Sequence, residues 1–130
     1  MKVIDVAVGV IKREQEIYIS KRAADLHQGG KWEFPGGKQE SGETSAQALT
    51  RELKEEVGIQ VIHIQDYMLI EHDYGDKSVR LHIQLVDEFS GEPTHLEGQI
   101  SRWVNIAQLT DFDFPAANVA IVAKLQQEFL

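Results

Sequence analysis

Residues 37–59 read GKQESGETSAQALTRELKEEVGI, and the rest of the chain is arranged around them. The second half of this stretch predicts a short helix. Thr44, followed three residues later by Gln47, forms a capping-box pattern. Gly58, just past the last turn, suits a left-handed C-terminal cap. At about 100° per residue, Ala46, Leu49, Leu53 and Val57 share one side. Glu52, Glu55 and Glu56 crowd a neighbouring face at offsets of three and four. Like charges at those offsets destabilise an isolated helix by roughly 0.2–0.5 kcal/mol per pair. A hard divalent cation relieves such a cluster, and oxygen-only donors suit Mg²⁺ or Mn²⁺. A solvated acidic face is the ordinary alternative. The fixed placing of Gly37, Glu43 and Arg51-Glu52 around the carboxylates favours the cation.

The stretch matches GX5EX7REUXEEXGU, where U is aliphatic, at all nine defined positions, and so resembles the Nudix box. That resemblance implies a loop-helix-loop that binds divalent metal and hydrolyses nucleoside diphosphates linked to another group. It also implies the fold, a mixed β-sheet sandwiched between helices in an α/β (α+β) domain.

With 130 residues, the chain is expected to form one domain, residues 1–130, with a core that needs no disulfide or metal staple. Hydrophobic residues make up 42% and charged residues 26%, ordinary for a soluble globular protein. The absence of cysteine excludes a disulfide framework, a thiolate metal site and a Cys nucleophile. A net charge of −8 argues against a nucleic acid polymer as partner, because phosphate neutralisation drives that affinity. A free nucleotide arriving with its metal is compatible with it. The opening MKVIDVAVGVIKREQE lacks the apolar core and cleavage site of a signal peptide. No apolar run approaches the roughly 20 residues of a membrane span. A cytoplasmic monomer with no membrane partner is expected.

Elsewhere the periodicity predicts strands at 3–11 and 17–20, then a long loop, KRAADLHQGGKWEFPGGK, leading into the box. Two short strands follow at 60–64 and 67–71. Residues 78–86 alternate cleanly, Val79, Leu81, Ile83 and Leu85 against Ser78, Arg80, His82 and Gln84, as a half-buried strand does. A last strand spans 101–104, a helical turn 105–109, and a final helix begins near Pro115 and runs through Val119, Ile121, Val122 and Leu125.

The flanks, KRAADLHQGGKWEFPGGK and DFDFPAANVAIVAKL, resemble the MutT branch of the family, which hydrolyses 8-oxo-dGTP to 8-oxo-dGMP and diphosphate and so keeps oxidised guanine out of DNA. The resemblance implies a metal site of Glu52, Glu55, Glu56 and the Gly37 carbonyl, with Glu97 as a further ligand. Glu52 and Glu56 are the expected catalytic carboxylates. Glu52 is the expected general base and Glu97 its alternative. Arg51 and Glu43 are expected to pair and fix the loop against the helix. Arg22, His27 and Phe34 should line the nucleotide site, with Lys77 over the base where the family tends to have arginine. Lysine keeps the charge and loses the planar fork. Asn118 should read the base: oxidised guanine offers an O6 acceptor beside an N7–H donor, and a side-chain amide answers both. That match is worth about 1–3 kcal/mol by analogy with bidentate base contacts. Lys38 could touch phosphate. Trp32, Trp103 and Phe114 are expected in the core or pocket wall, and His63, His72, His82 and His95 show no ligand spacing. The rivals are a pyrophosphohydrolase of another nucleoside triphosphate, such as CTP, and a non-catalytic Nudix-like binding module.

Overall fold

The computed structural model describes residues 2–24, 29–73 and 75–130. Among these residues, seven strands form one mixed sheet with a helix on each face. Strand β1 (Lys2–Arg13) is its spine. It runs parallel to β6 (Lys77–Ser90) over a register from Lys2↔Lys77 to Ile11↔Val86. Its far end turns into β2 (Glu16–Lys21), which pairs with β3 (Trp32–Glu33) and with β7 (Ser101–Asn105). The middle of β1 pairs antiparallel with β4 (Gly36–Lys38), and β5 (Gln60–Asp73) closes the other edge against β6.

Alternation along β1 builds two cores. Val8 and Val10 point to one face with Ile83, Leu85, Ile121 and Leu125. That face is covered by α2 (Ala116–Phe129) and by a 3₁₀ turn, Ile106–Asp111. Ala7 and Ile11 point to the other face, against Leu49, Leu53 and Val57 of α1 (Ser45–Val57). Leu53 is fully buried, so its truncation to Ala removes about 2–5 kcal/mol. No helix among the described residues is long and apolar enough to cross a membrane.

The fold class is as expected, and several local readings change. The loop before the box contains β3 and β4, strands of two and three residues that exist because β2 and β1 supply their partners. The two strands predicted at 60–64 and 67–71 are one, interrupted by register shifts near His63 and Met68. The strand at 78–86 extends to Ser90, and its polar face is covered at Gln84 while Arg80 stays partly solvated. Gln84 is buried and donates to Asp66 Oδ1 at 3.1 Å. On α1, Ala48 is buried, while Ala46 is only partly covered. On α2, Val119 is exposed.

Candidate active site

Helix α1 is fixed at both ends by its own residues. Thr44 Oγ1 accepts from Gln47 N at 3.1 Å, and the Gln47 side chain accepts from Thr44 N at 2.9 Å. Gly58 takes the left-handed cap at φ 72°. With Leu49, Leu53 and Val57 anchored in the core, Glu52 and Glu56 lie one turn apart on the side facing β4. Glu55 is turned outward, its side chain 64% exposed.

Strand β4 passes beneath these carboxylates because it is glycine. A Cβ at Gly36 would lie 2.0 Å from the Ala7 carbonyl oxygen, so only glycine lets β4 reach β1 there. A Cβ at Gly37 would lie 2.3 Å from the Glu52 carboxyl carbon, so that carboxylate rests directly over the Gly37 backbone. Gly36 N–H points to Glu56 Oε2 at 3.4 Å.

Arg51 gathers the acidic side chains of the loop and helix. Its Nε and Nη2 donate to the two Glu43 oxygens at 2.9 and 3.0 Å, and Nη2 reaches the Lys38 carbonyl at 3.2 Å. Nη1 donates to Glu52 Oε1 at 2.8 Å and lies 3.6 Å from Glu55 Oε2. The guanidinium beside Glu43, helped by the Glu40 N–H, holds that carboxyl down at about 2. Glu56 goes the other way. Burial, then the charge of Glu33, with Glu52 and Glu97 adding, pushes it up to about 7 against the opposing Gly36 N–H.

The loop carrying Glu97 is docked on the last turn of α1, where helix carbonyls need donors. Thr94 N–H donates to Val57 O at 3.0 Å and Leu96 N–H to Glu56 O at 2.8 Å. His95 sits between them, buried, with Nε2 3.4 Å from Glu56 Oε1. Burial lowers its pKa, partly offset by Glu97. Among the described residues, no three acidic or histidine side chains already converge as a metal cage.

Beside the carboxylates opens a pocket of about 380 Å³ lined by Arg22, Phe34, Gly37, Lys38, Leu81 and Asn118, with Glu33 and Pro115 at its wall. Its volume suits a small ligand. Asn118 lies in the first turn of α2, its N–H donating to Pro115 O at 2.8 Å. The Phe34 ring stacks on Phe114 at 5.2 Å and is almost fully buried, so it is wall and core at once. Glu33 Oε1 accepts from Arg22 Nη1 at 3.0 Å, and burial raises the Glu33 carboxyl while Arg22 opposes it. A larger groove of about 840 Å³ runs along the outer face of α1 past Ala46, Thr50, Lys54 and Leu96. It touches neither Asn118 nor β4.

The structure therefore brings Arg22, Phe34, Asn118 and Gly37 around one cavity, with Glu52 and Glu56 over its β4 edge. Lys77 is not part of that lining. It opens β6, exposed, opposite Lys2. His27 lies outside the described residues. Trp103 is away from the pocket, with its ring 5.6 Å from that of Tyr18 and Arg13 above it. Two further residues, Glu33 and His95, stand at the site without a sequence pattern that marks them. Glu33, a charge between two aromatics in a strand, carried a faint signal. His95 carried none beyond its closeness to Glu97.

Comparison with known proteins finds relatives along nearly the whole chain. Residues 6–124 match the NUDIX domain family. The 8-oxo-dGTP diphosphatase of Escherichia coli is 45% identical over 128 residues, covering 98% of this chain and 99% of that protein. The CTP pyrophosphohydrolase of Escherichia coli is 31% identical over 122 residues, covering 94% of this chain and 90% of that protein. A MutT structure from work on Aliivibrio salmonicida and Vibrio cholerae superposes with a TM-score of 0.89 at 39% identity, covering 98% of this chain and all of that one. On the whole-length match and the intact box, the chain belongs to the NUDIX family.

Proposed function

We propose that this protein is a nucleotide-pool hydrolase that converts 8-oxo-dGTP and water to 8-oxo-dGMP and diphosphate, as a single-domain cytoplasmic monomer over residues 1–130. In that role it would keep oxidised guanine out of replicating DNA. The observation that carries the reading is the pocket that places Asn118 and the Gly36–Gly37 strand, with Glu52 above it, around one cavity.

A divalent cation fits the residues present. The donors are hard oxygens, and the missing Cβ at Gly37 leaves the cradle in which the Glu52 carboxylate sits against the backbone. Glu52, Glu55, Glu56 and the Gly37 carbonyl would hold Mg²⁺ or Mn²⁺, with Glu97 from the docked loop. When bound, such a cation supplies Lewis acidity, water activation and a template for the phosphates. The chain's own groups do the rest. Asn118 presents a carbonyl and an amide to the N7–H and O6 of the oxidised base. Arg22 and Lys38 bring positive charge to the cavity. Glu52, as general base, takes a proton from the attacking water, with Glu97 the alternative. The water oxygen bonds to the β-phosphorus as the bond from the α–β bridging oxygen to that phosphorus breaks, so that oxygen leaves on 8-oxo-dGMP and diphosphate is released. Arg51 stays paired to Glu43 and orients Glu52 rather than reacting.

The test is kcat/KM for 8-oxo-dGTP, dGTP and CTP with Mg²⁺, identifying the phosphorus product. A large preference for 8-oxo-dGTP with diphosphate released supports the reading. Similar activity on all three, or preference for CTP, keeps the hydrolase chemistry and discards the base specificity. No turnover of any of them returns the binding-module alternative.

A further inference from the structure

Glu56 has a partner that the box does not contain. His95 lies in the loop at residues 94–98, and its side chain is only 2% exposed. Its neighbours explain why it points inward: Thr94 and Leu96 are both tied by backbone hydrogen bonds to the last turn of α1, and Gly98 N–H closes the loop onto His95 O at 3.0 Å. The ring is thereby trapped between the helix and the Glu97 segment. Glu97 N–H donates to His95 Nδ1 at 3.3 Å. An imidazole that accepts an N–H at Nδ1 is the neutral tautomer with its hydrogen on Nε2. That nitrogen is 3.4 Å from Glu56 Oε1.

We propose that His95 is a positioning residue for Glu56, a neutral Nε2–H donor that fixes one carboxylate oxygen and couples the Glu97 loop to the box helix. The proposal deepens the hydrolase reading and rests on it. Gly36 N–H donates to Glu56 Oε2 at 3.4 Å while His95 Nε2 lies 3.4 Å from Oε1, so each carboxylate oxygen has a nitrogen of another element beside it. A neutral donor is the suitable choice. It orients the carboxylate without cancelling the charge that a cation would meet. Histidines and amides standing behind a ligand carboxylate set its direction in this way, and losing such a partner typically costs 10–100-fold in metal affinity or activity.

Three variants separate the two ends of the ring. His95→Gln keeps an N–H donor for Glu56, His95→Asn keeps an acceptor for the Glu97 amide, and His95→Ala keeps neither. Free Mn²⁺ measured by electron paramagnetic resonance gives the affinity of each, and long-range ¹H–¹⁵N spectra of the wild-type ring give its tautomer. The expected ring carries its proton on Nε2. His95→Ala and His95→Asn should bind Mn²⁺ about 10-fold or more weakly, and His95→Gln within about threefold of wild type. A proton on Nδ1, or His95→Ala and His95→Asn binding like the wild type, overturns the role of His95 alone. A wild-type protein that binds no Mn²⁺ overturns the metal reading itself. The tautomer is measured on the unmodified chain, so a variant that fails to fold does not protect the proposal.

Discussion

Gly36 and Gly37 are adjacent, yet the structure gives them opposite duties, and alanine at each separates stability from chemistry. At Gly36 the new Cβ would meet the Ala7 carbonyl oxygen at 2.0 Å and Val8 Cα at 3.0 Å, all backbone. Nothing there can swing aside. The Val8↔Gly36 register and the hydrogen bond from Gly9 N to Pro35 O must open. Overpacking of this kind costs about 1–3 kcal/mol, and a 2 kcal/mol loss lowers Tm by roughly 5–10 °C in a domain of this size. At Gly37 the new Cβ meets the end of a side chain instead. The Glu52 carboxyl carbon must retreat from 2.3 Å to at least 3.4 Å, the start of ordinary contact. Gly37 is not among the positive-φ glycines, so alanine suits its backbone, and narrowing of the unfolded ensemble offsets part of any cost by about 0.4–1 kcal/mol. A misplacement of about 1 Å can cost on the order of 10²-fold in rate. Gly37→Ala should therefore unfold close to wild type and lose on the order of 10²-fold in kcat, while Gly36→Ala should lose Tm first. Thermal unfolding by circular dichroism, with diphosphate release from 8-oxo-dGTP, reads both. Wild-type kcat in Gly37→Ala would refute the placing of Glu52 over that backbone as the working geometry.

Further outcomes follow from the same contacts. Glu52→Gln should lower kcat by about 10²–10³-fold, as for loss of one preorganised electrostatic group, with the unfolding transition retained; a near-wild-type rate would remove Glu52 from the site. Asn118→Ala should cost the preference for 8-oxo-dGTP over dGTP by roughly 5–150-fold, and equal losses on both substrates would take Asn118 out of base recognition. Arg51→Lys keeps the charge but cannot span Glu43, Lys38 O and Glu52 together, so kcat should fall about tenfold or more while KM changes little. Asp5 accepts from Arg80 at 2.8 and 3.0 Å and pairs with His82. Arg80 first, then His82, hold its carboxyl at about 2, below the ordinary 3.8. A depressed carboxyl stabilises the fold above its unfolded pKa and loses that contribution as pH falls toward its folded value. The stability gap between wild type and Asp5→Asn, at most ~1 kcal/mol for so exposed a pair, should be full near pH 6 and shrink between pH 4 and 2 in urea titrations. A gap that widens with acid would contradict the pairing.

How far the chain could be read before its structure depended on whether the signal was local. Helix α1 was legible because its cap, its apolar stripe and Gly58 lie within one stretch, and each acts on neighbours in sequence. Strands β3 and β4 were not. A two-residue Trp-Glu and a Gly-Gly-Lys have no period to detect, and they are extended only because β2 and β1 hold them. Strand β5 reads as two strands in sequence because its register shifts break the alternation that identifies a strand. Gln84 looked solvent-facing on alternation alone, since nothing in β6 tells that α1 and Asp66 cover that face.

The acidic cluster shows the same division. Its repulsion was visible in the sequence, but the sequence could not say how the chain tolerates it. Glu55 escapes by turning to solvent. Glu52 leans on Arg51, which Glu43 holds in place from the far side. Glu56 cannot escape, because it is pinned under the docked loop between Gly36 and His95, and its charge is the one most penalised by burial. Three glutamates in one motif therefore occupy three electrostatic situations, set by residues at 36, 43, 51 and 95. A sequence pattern identifies the set, whereas the separate role of each follows from the partners the fold brings to it.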